Sequence, residues 1–569
     1  MPLPSAFRPL LIQSDGTIML QDHHPEGEAA RELLREIAEL KKRPGEWHTY
    51  RVTSVSLWNA AASGWTADSV MKQLSSLARY GVPSLLEKEI RLFMNRYGSL
   101  KLRPNGTELE LSASDPALLK ELMRHRSLVA CWLGQPDPQS VRIKQEARGW
   151  LKRELIALGY PVVDEAGYRS GEALPVSLLE RDESGRPVCL RDYQAEAVNA
   201  FASDNNQSGG SGVVVLPCGA GKTWVGMGAL AKLQCETLIL TSNAVSVSQW
   251  IRELLRHTSL KEEEIGEYTG DRKAVKPVTV ATYQILTHRQ TKNGSYPHWK
   301  LFVDRNWGLI IYDEVHLLPA PVFRMTADLQ ATRRLGLTAT LVREDGRESD
   351  VFALIGPKRY DAPWRSMEQQ GWIAKPSCLE VRVPLAPEAV AEYREAPKRQ
   401  KHRIAGENPL KLEAVRRLLN RHPEQPTLII GQYLNQLNSV ARGLSLPVIT
   451  GSTPQPERQR LFDRFNSGEI SVLAVSKVAN FAIDLPDAAI AIQISGSFGS
   501  RQEEAQRLGR ILRPKREGTG VYFYSLISDE TDEVEFARRR QRFLLEQGYE
   551  YEIDWMEQQA PDGKEEAHR

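Results

Sequence analysis

Two glycines, a lysine and a threonine stand in an order suited to holding phosphate. In VVVLPCGAGKTWVG (Val213 to Gly226), Gly219 and Gly221 flank Ala220, and Lys222 and Thr223 follow at once. A glycine turn between a strand and a helix lets main-chain N–H groups converge at the helix N-terminus, where the helix dipole favours an anion. Lys222 would neutralise the β- and γ-phosphates of a nucleotide, and the Thr223 hydroxyl would sit on a magnesium ion. The first glycine of the general GxxxxGK[ST] pattern is replaced by Leu216, so the turn is GxGKT. Further along, WGLIIYDEVH (Trp307 to His316) ends an apolar run in Asp313 and Glu314. Parallel sheets present ligand groups at the carboxyl ends of their strands. Asp313 would hold magnesium there, and Glu314 would polarise an attacking water. The two segments together form a Walker A and B pair, which points to hydrolysis of a nucleotide with Mg2+ as cofactor.

The elements that must position these groups are legible around them. Val213 to Val215 is β-branched and bounded by turn residues, as a buried parallel strand requires, and Thr223 through Leu233 has helical spacing without proline. Three further segments, TSNAVSVSQW (Thr241 to Trp250), VATYQIL (Val280 to Leu286) and LGLTAT (Leu335 to Thr340), each follow or end a predicted strand. Each carries small hydroxyl residues, Thr282 among them, that can reach a phosphodiester backbone without demanding a base. A second αβ domain begins near Gln370, with PTLIIG, VLAVSK and AIAIQIS as three buried strands. In QRLGRILR, a helix starting near Glu503 puts Arg510 and Arg513 on one face, where both could act as arginine fingers on a γ-phosphate. The fold class expected is α/β, with two RecA-like parallel-sheet domains preceded by a mainly helical and a mixed α/β accessory domain.

Composition excludes more than it selects. Across 569 residues, Lys+Arg 74 against Asp+Glu 72 gives a net charge of +2, so affinity for nucleic acid must come from local patches. The five cysteines, Cys131, Cys189, Cys218, Cys235 and Cys378, form no CxxC pair, which argues against a disulfide framework or a zinc site and fits a reducing cytoplasm. The opening MPLPSAFRPLLIQSDG is broken by Arg8 and Asp15 before a signal-peptide core could form, and no apolar run reaches transmembrane length, so no membrane role is expected.

In order along the chain, these motifs resemble superfamily 2 helicases, and several are similar to the XPB family, the motor related to the xeroderma pigmentosum group B subunit of transcription factor TFIIH. The segments that carry the resemblance are LRDYQ (Leu190 to Gln194), LPCGAGKT, NAVSVSQW, DEVH, LGLTATLVRED (Leu335 to Asp345), DLPDA (Asp484 to Ala488), EAQRLGRILR (Glu504 to Arg513) and RQRFLLEQGY (Arg540 to Tyr549). Arg343, Glu344 and Asp345 resemble the family's RED motif and would meet the duplex or the facing domain. The resemblance implies that Gln194 reads the adenine edge and so selects ATP, that Asp484 belongs to the nucleotide site, and that Gln506 assists the γ-phosphate and water beside Arg510 and Arg513. It further implies a short thumb-like insertion near 387–407, where Lys398, Arg399, Lys401 and Arg403 in YREAPKRQKHR would gather DNA phosphates. In SKVANFAIDLP, Ala479 and Asn480 stand where the family usually shows Gly and Asp.

The domain map implied is 1–110 for the family's N-terminal domain, 111–185 for a damage-recognition-like domain, 186–365 for the first RecA-like domain, 366–555 for the second, and 556–569 for a flexible tail. GRP at Gly185 to Pro187 and PKRYDAPW at Pro357 to Trp364 read as hinges. The activity expected from the resemblance is an ATP-dependent 3′–5′ DNA helicase or translocase of nucleotide-excision-like repair, cytoplasmic and nucleoid-associated. Its substrates would be single-stranded DNA and forked duplex, with a nuclease companion. ATP would close the cleft between the RecA-like domains and hydrolysis would reopen it. An RNA helicase, or an ATP-switched module that opens DNA for a partner nuclease, remain the alternatives.

Overall fold

The computed structural model describes the chain except residues 1–7, 22, 43–46, 183–184, 203–209, 218, 290–295, 303, 320–321, 323–325, 327–331, 340–347, 363, 477–487, 497–506, 510, 512–519, 547–548, 550 and 557–569. It forms two compact units, Met1–Pro217 with Gly221–Ala362, and Cys218–Ala220 with Pro363–Arg569.

At the centre of the first unit is a seven-stranded sheet in the order Ile265–Tyr268, Val278–Thr282, Thr237–Thr241, Leu309–Asp313, Arg333–Thr338, Ser211–Val215 and Lys358–Asp361. Every neighbouring pair is parallel. Helices on both faces leave no wet side, which is why Thr237–Thr241 and Val278–Thr282 are buried at every position and read as unbroken rather than alternating runs. The Pro357 to Trp364 segment is not a hinge throughout. Lys358–Asp361 is the sheet's edge strand, a place where charged residues are tolerated because one side lacks a ladder partner.

Two smaller sheets precede this one. A four-stranded antiparallel sheet, in the order Leu10–Ile12, Thr17–Gln21, Trp47–Val52 and Ala38–Lys42, carries the helices Gly27–Ile37, Ser54–Ala62, Ala67–Leu77 and Ser84–Arg96. A five-stranded sheet follows, ordered Trp132–Asp137, Ser140–Ile143, Glu108–Ala113, Leu100–Asn105 and Val162–Asp164. The expected division at residue 110 falls inside one of these strands, because Leu100–Asn105 and Glu108–Ala113 form a hairpin that pairs onward with the later strands.

Both accessory sheets are seated on the large one. Trp58 is buried against Phe352, ring centroids 6.0 Å apart, and the neighbouring Asn59 Oδ1 accepts the Lys358 main-chain N–H at 2.9 Å. From the second accessory sheet, Tyr168 donates its hydroxyl to Ser211 Oγ at 2.8 Å, with the guanidinium carbons of Arg148 and Arg334 each 5.5 Å from its ring centroid.

Behind Tyr168 lies a buried charge cluster. Arg148 grips both Asp164 oxygens, at 2.9 and 2.8 Å, and Lys152 Nζ adds a third bond at 3.0 Å. Burial opposes ionisation of Asp164, yet the Lys152 and Arg148 charges outweigh it and hold the carboxyl well below the usual carboxylate range. Burial lowers Lys152 to about 8, since one carboxylate cannot fully compensate two cations. Asp164→Asn would strand two buried cations and is expected to cost about 3–5 kcal/mol of stability at neutral pH, read by denaturant or thermal unfolding. Because the folded carboxyl titrates lower than the unfolded one, this contribution is complete at neutral pH, and the gap between variant and wild type should narrow only as the pH falls below about 4.

The second unit has its own seven-stranded parallel sheet, ordered Val448–Ile449, Val472–Ser476, Thr427–Gly431, Ile490–Gln493, Val521–Ser528, Pro376–Val383 and Tyr551–Trp555. Lys411 and Glu533, both fully buried and 2.8 Å apart, tie the helices Lys411–Arg421 and Asp532–Glu546 together. Two short helices, Pro387–Glu395 and Lys398–Gly406, lie where the thumb-like insertion is expected.

Candidate active site

The strand Ser211–Val215 runs into the glycine turn, and the helix Lys222–Leu233 leaves it. Gly221 caps that helix at φ +79, a left-handed conformation, and a Cβ there would come 2.6 Å from Gln194 Nε2. Only glycine fits both demands. The helix therefore starts at Lys222, with Thr223 next, so the positive end of its dipole lies at the phosphate turn.

The strand Leu309–Asp313, one strand removed across Arg333–Thr338, delivers the acids. Lys222 Nζ lies 2.8 Å from Glu314 Oε1, so the Walker lysine and the expected base meet as an ion pair. Glu314 itself is left-handed, φ 51 and ψ 52, a conformation that costs a non-glycine residue of order 1 kcal/mol and recurs at functional positions. Its Oε2 is 3.4 Å from His316 Nδ1, which is also 2.7 Å from Thr338 Oγ1. His316 thus joins DEVH to the strand that ends in the TAT element.

Asp313 is held from two directions. Trp250 Nε1 donates to its Oδ2 at 2.9 Å, and the Tyr283 hydroxyl donates to its main-chain carbonyl at 2.9 Å. Burial, reinforced by the neighbouring Glu314 charge, pushes the Asp313 carboxyl up to about 6. A carboxylate in that position is stabilised by a nearby divalent cation. The donor chemistry suits magnesium: the Thr223 hydroxyl and the Asp313 carboxylate are hard oxygen ligands. Magnesium characteristically takes one or two protein oxygens and completes its shell with water and phosphate.

The remaining predicted residues are distributed as follows. Gln194 is buried beside the glycine turn, but its Oε1 accepts the Arg191 N–H at 3.0 Å and its Nε2 donates to the Tyr193 hydroxyl at 3.4 Å, so the amide is engaged within its own helix end. Thr282 does not present its hydroxyl outward. It is buried and caps the helix Tyr283–Thr287 by accepting the Ile285 N–H at 3.2 Å, because the first turn of a helix needs an acceptor. In the helix Lys398–Gly406, Lys398 is exposed, Lys401 Nζ lies 5.3 Å from the Tyr393 ring centroid, and Arg403 pairs with Glu407 at 3.0 Å. The Arg399 side chain, Arg343, Glu344, Asp345, Asp484, Gln506, Arg510 and Arg513 lie outside the described residues. Trp250, Tyr283, His316 and Thr338 have site roles that sequence reasoning did not assign, although all four lie inside segments it singled out.

A phosphate turn and an acidic strand end in one parallel sheet, with a second parallel-sheet domain later in the chain, have the parts of a two-domain helicase-type ATPase. Family models described as "ERCC3/RAD25/XPB C-terminal helicase", "Helicase conserved C-terminal domain" and "Type III restriction enzyme, res subunit" match residues 367–568, 10–135 and 188–343. The chain is 53% identical to a protein named DNA 3'-5' helicase XPB from Kineococcus radiotolerans, over 96% of each chain. It is 52% identical to one of the same name from Mycobacterium tuberculosis, over 96% of this chain and 97% of that one. It is 33% identical to the general transcription and DNA repair factor IIH helicase/translocase subunit XPB of Encephalitozoon cuniculi, over 96% of this chain and 82% of that one. The chain belongs to the XPB helicase family.

Proposed function

We propose that this protein is an ATP-driven DNA helicase or translocase moving 3′ to 5′, serving DNA repair of the nucleotide-excision kind. The observation that carries the reading is near full-length identity to proteins named DNA 3'-5' helicase XPB, and the Lys222–Glu314 pair beside the Asp313 held by Trp250 supports it. In that site Lys222 and Glu314 neutralise one another. Incoming β- and γ-phosphate oxygens compete for the Lys222 ammonium, and as it turns to them Glu314 is released to accept a proton from water. His316 stands beside the other Glu314 oxygen, 3.4 Å away. Thr223 and Asp313 would hold magnesium, which when bound neutralises charge developing on the phosphates. The γ-phosphate roles of Gln506, Arg510 and Arg513, the adenine role of Gln194 and the nucleotide role of Asp484 rest on their motifs. So do the DNA roles of Arg343, Glu344 and Asp345, and of the basic residues Lys398 to Arg403.

The setting proposed is cytoplasmic and nucleoid-associated, with a nuclease as companion. Among the described residues no helix is long and apolar enough to cross a membrane. ATP turnover measured beside single-stranded DNA, duplex DNA and RNA tests the substrate. DNA is expected to raise turnover well above RNA. Stronger stimulation by RNA would make this an RNA helicase, and tight ATP binding without turnover on any nucleic acid would make it an ATP-switched DNA-opening module.

A further inference from the structure

The two segments expected to touch a DNA backbone on either side of the nucleotide site, 241–250 and 280–286, contain one aromatic residue each, Trp250 and Tyr283. Both are buried, and both end on the same residue. Trp250 gives its indole N–H to the Asp313 carboxylate, and Tyr283 gives its hydroxyl to the Asp313 carbonyl, each at 2.9 Å. In sequence these partners are 63 and 30 residues away, so the convergence is a product of the fold.

Trp250 makes a further contact. A Cβ added to Gly226 in the phosphate-turn helix would come 2.5 Å from Trp250 Cη2, so the indole lies directly on that helix where a glycine leaves room. One rigid ring therefore touches the helix that starts at Lys222 and, through its only polar atom, the acid that ends the neighbouring strand. An indole N–H is a donor with a single direction, so displacement of the helix Ala244–His257 displaces that bond with it. The helix begins immediately after Ser242 and Asn243, and Thr282 lies next to Tyr283, so movement of either segment is delivered to Asp313 through one aromatic side chain.

We propose that Trp250 and Tyr283 are positioning residues that fix Asp313 for metal-nucleotide binding and couple to it the segments 241–250 and 280–286, expected from their motifs to lie along DNA. The inference rests on the helicase reading above. If the Tyr283 ring served packing alone, phenylalanine would replace it at no cost to the site, because it keeps the apolar body and loses only the hydroxyl; Trp250→Phe also shortens the ring that lies on Gly226, so its reading depends on the Mg2+ gain measured against its own affinity in EDTA.

Trp250→Phe and Tyr283→Phe in the full chain separate the two roles, with thermal unfolding confirming that each variant is folded. Two quantities are read. The first is the affinity for N-methylanthraniloyl-ADP in EDTA and in Mg2+; the second is the ratio of ATP turnover with and without single-stranded DNA. Trp250→Phe is expected to keep its affinity in EDTA and to lose about tenfold of the gain that Mg2+ confers, the usual scale for removing a partner of a metal-binding carboxylate. Both variants are expected to show a lowered DNA stimulation ratio. Tyr283→Phe removes a single oxygen, and it keeps the test open should Trp250→Phe fold poorly. Wild-type Mg2+ gain in folded Trp250→Phe, or wild-type DNA stimulation in both variants, overturns the proposal. A wild-type protein that DNA does not stimulate would instead overturn the helicase reading on which it rests.

Discussion

Lys222→Ala is expected to abolish ATP hydrolysis in a protein that still folds. The ammonium at the start of the phosphate-turn helix lies 2.8 Å from Glu314, and a phosphoryl-transfer transition state is stabilised mostly by such charges. Its removal is expected to slow turnover by about three orders of magnitude or more, on the scale of losing a charge aimed at a transition state. The pair is mostly buried, its side chains 12% and 18% exposed, so the change is expected to cost some stability that the good helix propensity of Ala offsets only in part, and thermal unfolding checks that the variant is folded. DNA-stimulated turnover near the wild-type rate in a folded variant would remove the phosphate-site assignment.

Glu314→Gln separates binding from chemistry. Glutamine keeps the shape of the side chain and leaves Asp313 and Thr223 untouched, while the loss of a negative charge beside Lys222 frees the ammonium for phosphate. Nucleotide affinity should therefore be equal to or tighter than wild type. Hydrolysis should fall by about two to four orders of magnitude, the usual value of a positioned base. Single-turnover measurement makes the comparison direct, since it is blind to product release. Equal single-turnover rates would show that Glu314 does not polarise the water.

The parts of this site that sequence reveals are those written in consecutive residues. GxGKT needs its glycines at φ values other residues avoid, and the acids need only follow an apolar strand, so both are legible locally. Hydrogen bonds that cross between elements are not. Trp250 lies in a helix whose apolar face would bury a tryptophan in any case, and nothing in TSNAVSVSQW says that its N–H ends on Asp313. Thr282 shows the converse. A hydroxyl at a strand end looks the same in sequence whether it binds a phosphodiester or caps the next helix, and here packing turns it inward. The five-stranded accessory sheet is less legible still, because Leu100–Asn105 pairs with Val162–Asp164 across three intervening strands and two α-helices. Lys358–Asp361 has a proline before it and charges within it, the features of a linker, yet an edge strand accepts the same residues.

Strand displacement on forked DNA carrying a single-stranded tail of either polarity tests the central claim most directly. With ATP and Mg2+, the wild-type chain is expected to release the complementary strand from the substrate with a 3′ tail and not from the one with a 5′ tail, and Glu314→Gln should release neither. Displacement from the 5′ tail alone, or equal displacement by Glu314→Gln, would contradict an ATP-driven 3′–5′ motor.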